Sequence, residues 1–348
     1  MRNIIHEDVE KVIAGMSGWE RFRNKVVLIS GASGFLPAYM VEVLMHLNSA
    51  YNMNVKVIAL VRNIDKAHKR FEHFLSNALL QIEQHDVCLP YSTQEKIDFI
   101  VHAASQASPK FYGVDPVGTL NANVLGTNNL LTLAKEHKVE KFLYFSSSEV
   151  YGQLTPDKIP TKETEYGYID PMNVRACYGE SKRMGETMCV SWSHQFGVPV
   201  SIVRPFHTYG PGMDLNDGRV YADFIADIVN NRNIVMKSDG SAIRAFCYVG
   251  DAAAAFFTVL LNGENQAAYN VGNAYGEISI LELAERLVAL FPAKRLSVIK
   301  KADSEDNKGY INSLVSRIVP SMEKITMLGW MPQTGIEEGF SRTIKSYA

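Results

Sequence analysis

The chain has 348 residues, with 35 basic side chains against 37 acidic ones for a formal charge of -2. That length exceeds what one hydrophobic core usually organises, so a large domain with a smaller lobe is expected. The near-neutral balance supplies no global field for nucleic acid or an anionic membrane, so any anionic ligand must be held locally.

The first ten residues are polar and acidic where a secretory leader would be basic and then apolar, and no apolar run reaches spanning length. Cys88, Cys177, Cys189 and Cys247 are widely spaced without a C-x-x-C pair. Free thiols, a cytoplasmic location and no membrane partner are the expectations.

Val9, Val12, Ile13, Met16, Trp19 and Phe22 recur at helical spacing, which predicts an amphipathic helix; residues 1–24 read as a packing extension. From Lys25 onward, apolar runs at 26–30, 55–61, 99–103, 141–146 and 200–204 alternate with longer amphipathic stretches and read as strands. Strands joined by helical crossovers imply an α/β fold, a Rossmann-type doubly wound parallel sheet over residues 25–204. Past Pro205 the regularity breaks into a Gly/Pro/Asn/Asp-rich stretch at 209–218, then a helix from Val220 and shorter mixed elements. Residues 205–348 are therefore expected to form mostly a small C-terminal substrate-binding lobe, with some segments returning to the sheet domain.

Gly31-Ala32-Ser33-Gly34-Phe35-Leu36-Pro37 directly follows the first strand and opens a helix. Glycines there let the backbone approach a pyrophosphate at the helix N-terminus, which makes Gly31, Ser33, Gly34, Phe35 and Leu36 candidate dinucleotide contacts. Pro37 replaces the glycine used for close helix–strand packing, but a proline in a first helical turn forfeits no intrahelical hydrogen bond. After the second strand, Val61-Arg62-Asn63 offers no acid to a ribose 2′-hydroxyl. Arg62 either faces a 2′-phosphate, as NADP would present, or is a solvated surface arginine. Asp86-Val87 ends a third apolar run and either contacts the adenine or forms a turn.

Tyr178 and Lys182 lie four apart in a helix-compatible segment, one turn apart on one face. A free phenol titrates near ~10, so a base at neutral pH needs neighbouring positive charge, from an ammonium or an oxidised nicotinamide. Upstream, Ser146-Ser147-Ser148-Glu149-Val150-Tyr151-Gly152 follows the fourth long strand and brings hydroxyls and a carboxylate to the carboxyl edge of the sheet.

With these residues the chain resembles the extended short-chain dehydrogenase/reductase family, the NAD-dependent epimerases and dehydratases, from the glycine loop to near the C-terminus. Matching segments include His102-Ala103-Ala104-Ser105, Asp115-Pro116, Asn123-Val124-Leu125-Gly126-Thr127, Arg204-Pro205, Tyr209-Gly210-Pro211 and Tyr269-Asn270-Val271-Gly272. The resemblance implies bound NAD, with NADP as the alternative, contacted also by Ala103, Ala104, Ser105, Asn123 and Pro205. It implies a Ser147–Tyr178–Lys182 triad in which Ser147 binds the reacting hydroxyl and Lys182 holds the nicotinamide ribose, with Ser148 the adjacent alternative. It further implies a homodimer and a place in polysaccharide biosynthesis.

Within that family, Ser147 to Gly152, Arg175-Ala176-Cys177-Tyr178, Asn216-Asp217-Gly218-Arg219-Val220 and Arg244-Ala245-Phe246 are most similar to UDP-glucuronate decarboxylases, with dTDP-glucose 4,6-dehydratases close behind. Dehydratases place Asp-Glu where this chain has Ser148-Glu149, because expelling water requires protonating a hydroxyl. Serine is a poor proton donor, so the pair fits decarboxylation, with Glu149 as proton relay. Ser105, Glu149, Tyr178, His207, Arg219 and Arg244 become candidate contacts to a UDP-linked nucleotide-sugar, Arg244 to its carboxylate or diphosphate.

Two departures bear on the substrate. His207 stands where asparagine is usual, and Lys308-Gly309-Tyr310 within residues 306–317 replaces an Arg-Lys-Pro-Asp run. No His/Cys/Asp cluster with ligand spacing accompanies His207, and no metal site is expected. A 4-epimerase or 4,6-dehydratase, net oxidoreduction, or a catalytically silent nucleotide-binding protein of the same fold are the competing readings.

Overall fold

A computed structural model describes residues 1–236, 238–300 and 316–348; Lys308-Gly309-Tyr310 lies outside the described residues. Along the chain, α1 (Arg2–Ala14) precedes β1 (Val26–Ser30), α2 (Phe35–Tyr51), β2 (Lys56–Val61), α3 (Ile64–Arg70), β3 (Leu80–Gln84) and β4 (Phe99–His102). Next come α4 (Pro116–His137), β5 (Lys141–Phe145), α5 (Ala176–Phe196), β6 (Val200–Pro205), β7 (His207–Tyr209), α6 (Val220–Val229), β8 (Ile234–Met236) and β9 (Ile243–Tyr248). The chain continues through α7 (Val249–Asn262), β10 (Ala267–Val271), β11 (Glu277–Ser279), α8 (Ile280–Ala289), β12 (Val298–Lys300), β13 (Arg317–Ile318), α9 (Glu323–Thr326) and α10 (Ile336–Lys345).

Seven strands form a parallel sheet in the order β10-β6-β5-β4-β1-β2-β3, so the winding reverses beside β1. The five apolar runs read from sequence are five of these strands. Their side chains alternate between two faces, as strand geometry demands. Val27, Ile29, Val57, Ala59 and Val101 pack with buried residues of α1, α2 and α7. Leu28, Ile58, Ile100, Phe142 and Tyr144 pack with Leu130 and Leu131 of α4 and Cys189 of α5. Such doubly covered strands read as continuous apolar runs.

Caps explain where the helices start. Asp115 accepts a hydrogen bond from the Gly118 amide at 3.0 Å, with Pro116 at the first helical position of α4. Asn63 accepts from the Lys66 amide at 2.8 Å to start α3. α5 stops at Gly197, whose φ of 71° suits glycine.

The N-terminal segment differs from the single helix predicted. α1 ends at Ala14, Gly18 turns the chain at a φ of 87°, and Trp19–Phe22 forms a separate short 3-10 turn. Both pieces still bury their apolar residues in the core shared with α2 and α7.

Antiparallel β11 and parallel β7 and β13 pair around β9, beside a second core containing Tyr221, Phe224, Ile228, Leu283 and Phe340. α7 and β10 then return to the large sheet, β10 pairing parallel with β6. Asp8 of α1 joins the two regions: its carboxylate accepts from Tyr39 of α2 at 3.3 Å, Tyr248 of β9 at 2.7 Å and Arg342 of α10 at 2.7 Å. All four cysteines are free thiols, and no helix among the described residues is long and apolar enough to cross a membrane.

Candidate active site

The crevice opens where the winding reverses, outside the carboxyl ends of β1, β4 and β5, where open α/β sheets bind ligands. Gly34, Phe35, Leu36, Ala103, Ser105, Ser147, Ser148, Glu149, Tyr178, Lys182, Pro205, His207 and Arg219 line it together, so most of the sequence-derived residues converge. Gly31, Ser33 and Ala104 belong to the loops just behind.

Gly31 has a φ of 66°, and a Cβ built there would stand 2.7 Å from Ala104 Cα. Only glycine lets the loops after β1 and β4 meet this closely. Gly34 is then the N-cap of α2. Pro37 is buried inside the first turn without disturbing the helix. It carries no N–H, so the amides of Phe35 and Leu36 are the donors at the helix mouth. The loop is also tied to β4: Ser30 Oγ pairs with His102 Nδ1 at 2.8 Å, and His102 Nε2 with Thr127 Oγ1 at 3.1 Å. Burial first, then the charge of Lys182, depress His102 to about 3, so it stays neutral.

α5 delivers Tyr178 and Lys182, which are buried. Tyr178 pairs with the Ser147 hydroxyl, yet burial pushes its phenol up to about 12. Lys182 donates from Nζ to the Phe145 carbonyl at 2.6 Å, 5.8 Å from the Tyr178 ring centroid, and burial lowers it to about 7. The expected Lys182 ammonium does not by itself make Tyr178 a phenolate; the remaining positive charge must arrive with a ligand. Ser147 caps the short turn at Ser148–Tyr151, accepting from the Glu149 amide at 3.2 Å. Glu149 stands at the exposed rim, 3.6 Å from Arg175 Nη2.

The opposite wall is cationic. Arg219 donates to Asp217 at 2.8 Å and to the Ala107 carbonyl at 3.0 Å. His207 is held near 3 by burial, then by the charges of Arg244 and Arg219. Arg244 stands behind this wall, outside the cleft lining, and donates to the Ser316 carbonyl at 3.2 Å. His207 Nδ1 and Ser105 Oγ are buried polar atoms without a hydrogen-bond partner among the described residues, both in residues lining the cleft. Such atoms call for a ligand or water.

Other sequence-derived residues fall elsewhere. Asn123 of α4 is buried against α5, donating to Ser181 Oγ at 2.9 Å, away from the cleft lining. Arg62 is exposed, and Asp86 accepts from the Cys88 amide at 2.9 Å as a turn former does. Val87 is buried against Gly126. Sequence reasoning missed Tyr112, whose ring stacks on Tyr178 with centroids 5.1 Å apart at 15°. It lies in a loop, where no periodicity marks it.

The glycine cradle, the open helix mouth and the unpaired Ser105 hydroxyl fit a dinucleotide. A Ser–Tyr–Lys set beside them defines an enzyme of the short-chain dehydrogenase/reductase type on a Rossmann-type sheet. Residues 27–272 match the model of the NAD dependent epimerase/dehydratase family, and the chain belongs to that family. It is 34% identical over 327 residues to UDP-glucuronic acid decarboxylase 1 of Danio rerio, covering 93% of this chain and 73% of that one. UDP-glucuronic acid decarboxylase 5 of Arabidopsis thaliana is 33% identical, over 91% of this chain and 87% of that one. An epimerase from Methanothermobacter thermautotrophicus superposes with a TM-score of 0.79 at 21% identity, over 97% of this chain and 95% of that one.

Proposed function

We propose that the chain decarboxylates a UDP-hexuronic acid to a UDP-pentose, using NAD. The observation that carries this reading is the Ser148-Glu149 pair at the cleft beside Tyr178, where dehydration would require a stronger acid than serine. The likeness to the UDP-glucuronic acid decarboxylases supports it. Gly31, Ser33, Gly34, Phe35, Leu36 and Ser105 would hold the dinucleotide, with Lys182 on its ribose. The bound nicotinamide supplies transient hydride acceptance, and its positive charge favours the Tyr178 phenolate.

Ser147 holds the hydroxyl on sugar carbon 4, and Tyr178 takes its proton. The resulting 4-keto acid is a β-keto acid, so the bond to the carboxylate can break with its electron pair flowing into the ketone as carbon dioxide leaves. Glu149 relays a proton to carbon 5, and return of the hydride to carbon 4, with the proton held by Tyr178 going back to its oxygen, would complete the UDP-pentose. Arg219, with Arg244 behind it, gives the opposite wall the positive charge that a diphosphate or carboxylate needs.

Three further points belong to the proposal. NAD is preferred to NADP, although the exposed Arg62 keeps the latter as the alternative. A homodimer is proposed through α4 and α5, which pack together and leave Val117, Leu120, Leu125, Met184 and Val190 exposed. The free thiols suit a cytoplasmic setting.

A 4-epimerase is the second reading, favoured by His207, a neutral side chain in the wall where a sugar must be recognised. Incubation with NAD and UDP-glucuronate decides between them. Release of carbon dioxide with UDP-xylose or its 4-keto precursor is expected. An unchanged UDP-glucuronate, with clean epimerisation of a neutral nucleotide-hexose, overturns the decarboxylase reading.

A further inference from the structure

On the face of the molecule formed by α1, α2 and α3, three metal-ligating side chains meet. His6 and Glu10 stand one turn apart on α1, and His46 comes from α2. One donor atom from each, two imidazole nitrogens and a carboxylate oxygen, lie within 4.8 Å of one another. The two imidazole rings meet edge to face with centroids 4.9 Å apart, and His6 Nδ1 is 3.7 Å from Glu10 Oε2. Donors held about 2.1 Å from a tetrahedral ion stand roughly 3.4 Å apart, so small side-chain rotations would bring all three onto one cation.

The helices that carry them are fixed. Ile5, Val9, Val12 and Ile13 of α1 are buried in the core they share with α2. Among the described residues His46 makes no side-chain hydrogen bond, and His6 pairs with Glu10 and His46. Two nitrogens and one carboxylate oxygen are the donor set of Zn²⁺ and similar borderline cations, whereas Ca²⁺ and Mg²⁺ take oxygen. Three protein ligands leave a fourth position open. His6 and His46 both line an open cleft whose wall carries Lys66, Lys69 and Arg70 together with Glu7, Glu42 and Glu72, so water can fill that position. Because His46 is far from His6 in sequence, no ligand spacing marks the site.

We propose that His6, Glu10 and His46 form a Zn²⁺ site that staples α1 to α2. The same helix carries Asp8, which bridges α2, β9 and α10, so a cation here holds in place the segment that joins the sheet domain to the lobe.

The experiment uses the untagged 348-residue chain, stripped with chelator and titrated with Zn²⁺ by calorimetry and with Co²⁺ by visible absorption. One ion per chain is expected, with a tetrahedral Co²⁺ spectrum and a Zn²⁺-dependent rise in melting temperature. His6→Ala and His46→Ala should abolish both signals, and Glu10→Gln, which removes the anionic ligand, should weaken binding. All three side chains reach solvent, so the variants should melt like the wild type in chelator; His46→Gln, which keeps the bulk, serves if alanine does not. Equal stoichiometry and affinity in a His6→Ala/His46→Ala double variant, or no saturable binding by the wild type, overturns the site.

Discussion

The ring of Tyr112 lies nearly parallel on that of Tyr178, centroids 5.1 Å apart, while its hydroxyl donates to the Ala107 carbonyl at 3.0 Å. A loop residue thus fixes one face of the proposed base. Aromatic pairs of this kind contribute about 0.5–1.5 kcal/mol, so Tyr112→Ala should lower unfolding stability by about that amount and, by freeing the Tyr178 ring, lower kcat/KM. Tyr112→Phe keeps the ring and should stay near wild type in steady-state kinetics. Equal losses in both variants would move the role from the stack to the hydroxyl.

Removing the Tyr178 hydroxyl alone should cost about 10²–10⁴-fold in turnover, as loss of a general base does. The melting temperature of Tyr178→Phe should stay close to that of the wild type. Because burial pushes this phenol up to about 12 and the deprotonated form accepts the proton, turnover should rise with pH on the acid side of its profile. Near-normal turnover by a folded Tyr178→Phe protein removes Tyr178 from the mechanism.

Gly31 and Gly197 both have positive φ, 66° and 71°, but only Gly31 has backbone within reach of a new Cβ. Gly197→Ala should cost about 1–2 kcal/mol, the left-handed strain alone. Gly31→Ala carries that strain and also pushes the β1 and β4 loops apart. It should melt lower than Gly197→Ala and lose nicotinamide binding, measured by dye-monitored melting and cofactor titration.

Arg204 is buried and grips Glu186 with Nε at 2.8 Å and Nη2 at 2.6 Å. Taking away one partner strands the other charge, at a cost of about 3–5 kcal/mol. Glu186→Gln should show a loss of that order in urea unfolding. An Arg204→Met/Glu186→Leu double variant should lose less than either single change.

His102 and His207 are both depressed to about 3, chiefly by burial, from an ordinary value of 6.5. Between those values the unfolded chain binds protons that the native state does not, so stability rises with pH. Their contribution is fully present above about pH 6.5 and is lost as pH falls toward 3. Denaturant midpoints should therefore drop between pH 7 and pH 4.5. His102→Asn, which removes one of the two titrations, should show a smaller drop; an identical drop would place the acid sensitivity elsewhere.

Residue chemistry and local spacing by themselves determined the parallel α/β fold and the glycine loop, and the same motifs carried the resemblance to the family. Strands covered on both faces must be apolar throughout, a tight turn from strand to helix with positive φ needs glycine, and Tyr178 and Lys182 share a helix face at four-residue spacing. Those constraints act within a few residues, so the linear sequence carries them. The tertiary structure decided what distant segments do to one another. It set Tyr112 on Tyr178, gave Lys182 to the Phe145 carbonyl and joined Asn123 of α4 to Ser181 of α5. It also returned β10 to the sheet beside β6 and brought His46 to His6 and Glu10. Burial, packing and charge at these places come from residues far apart along the chain, and no local pattern encodes such a meeting.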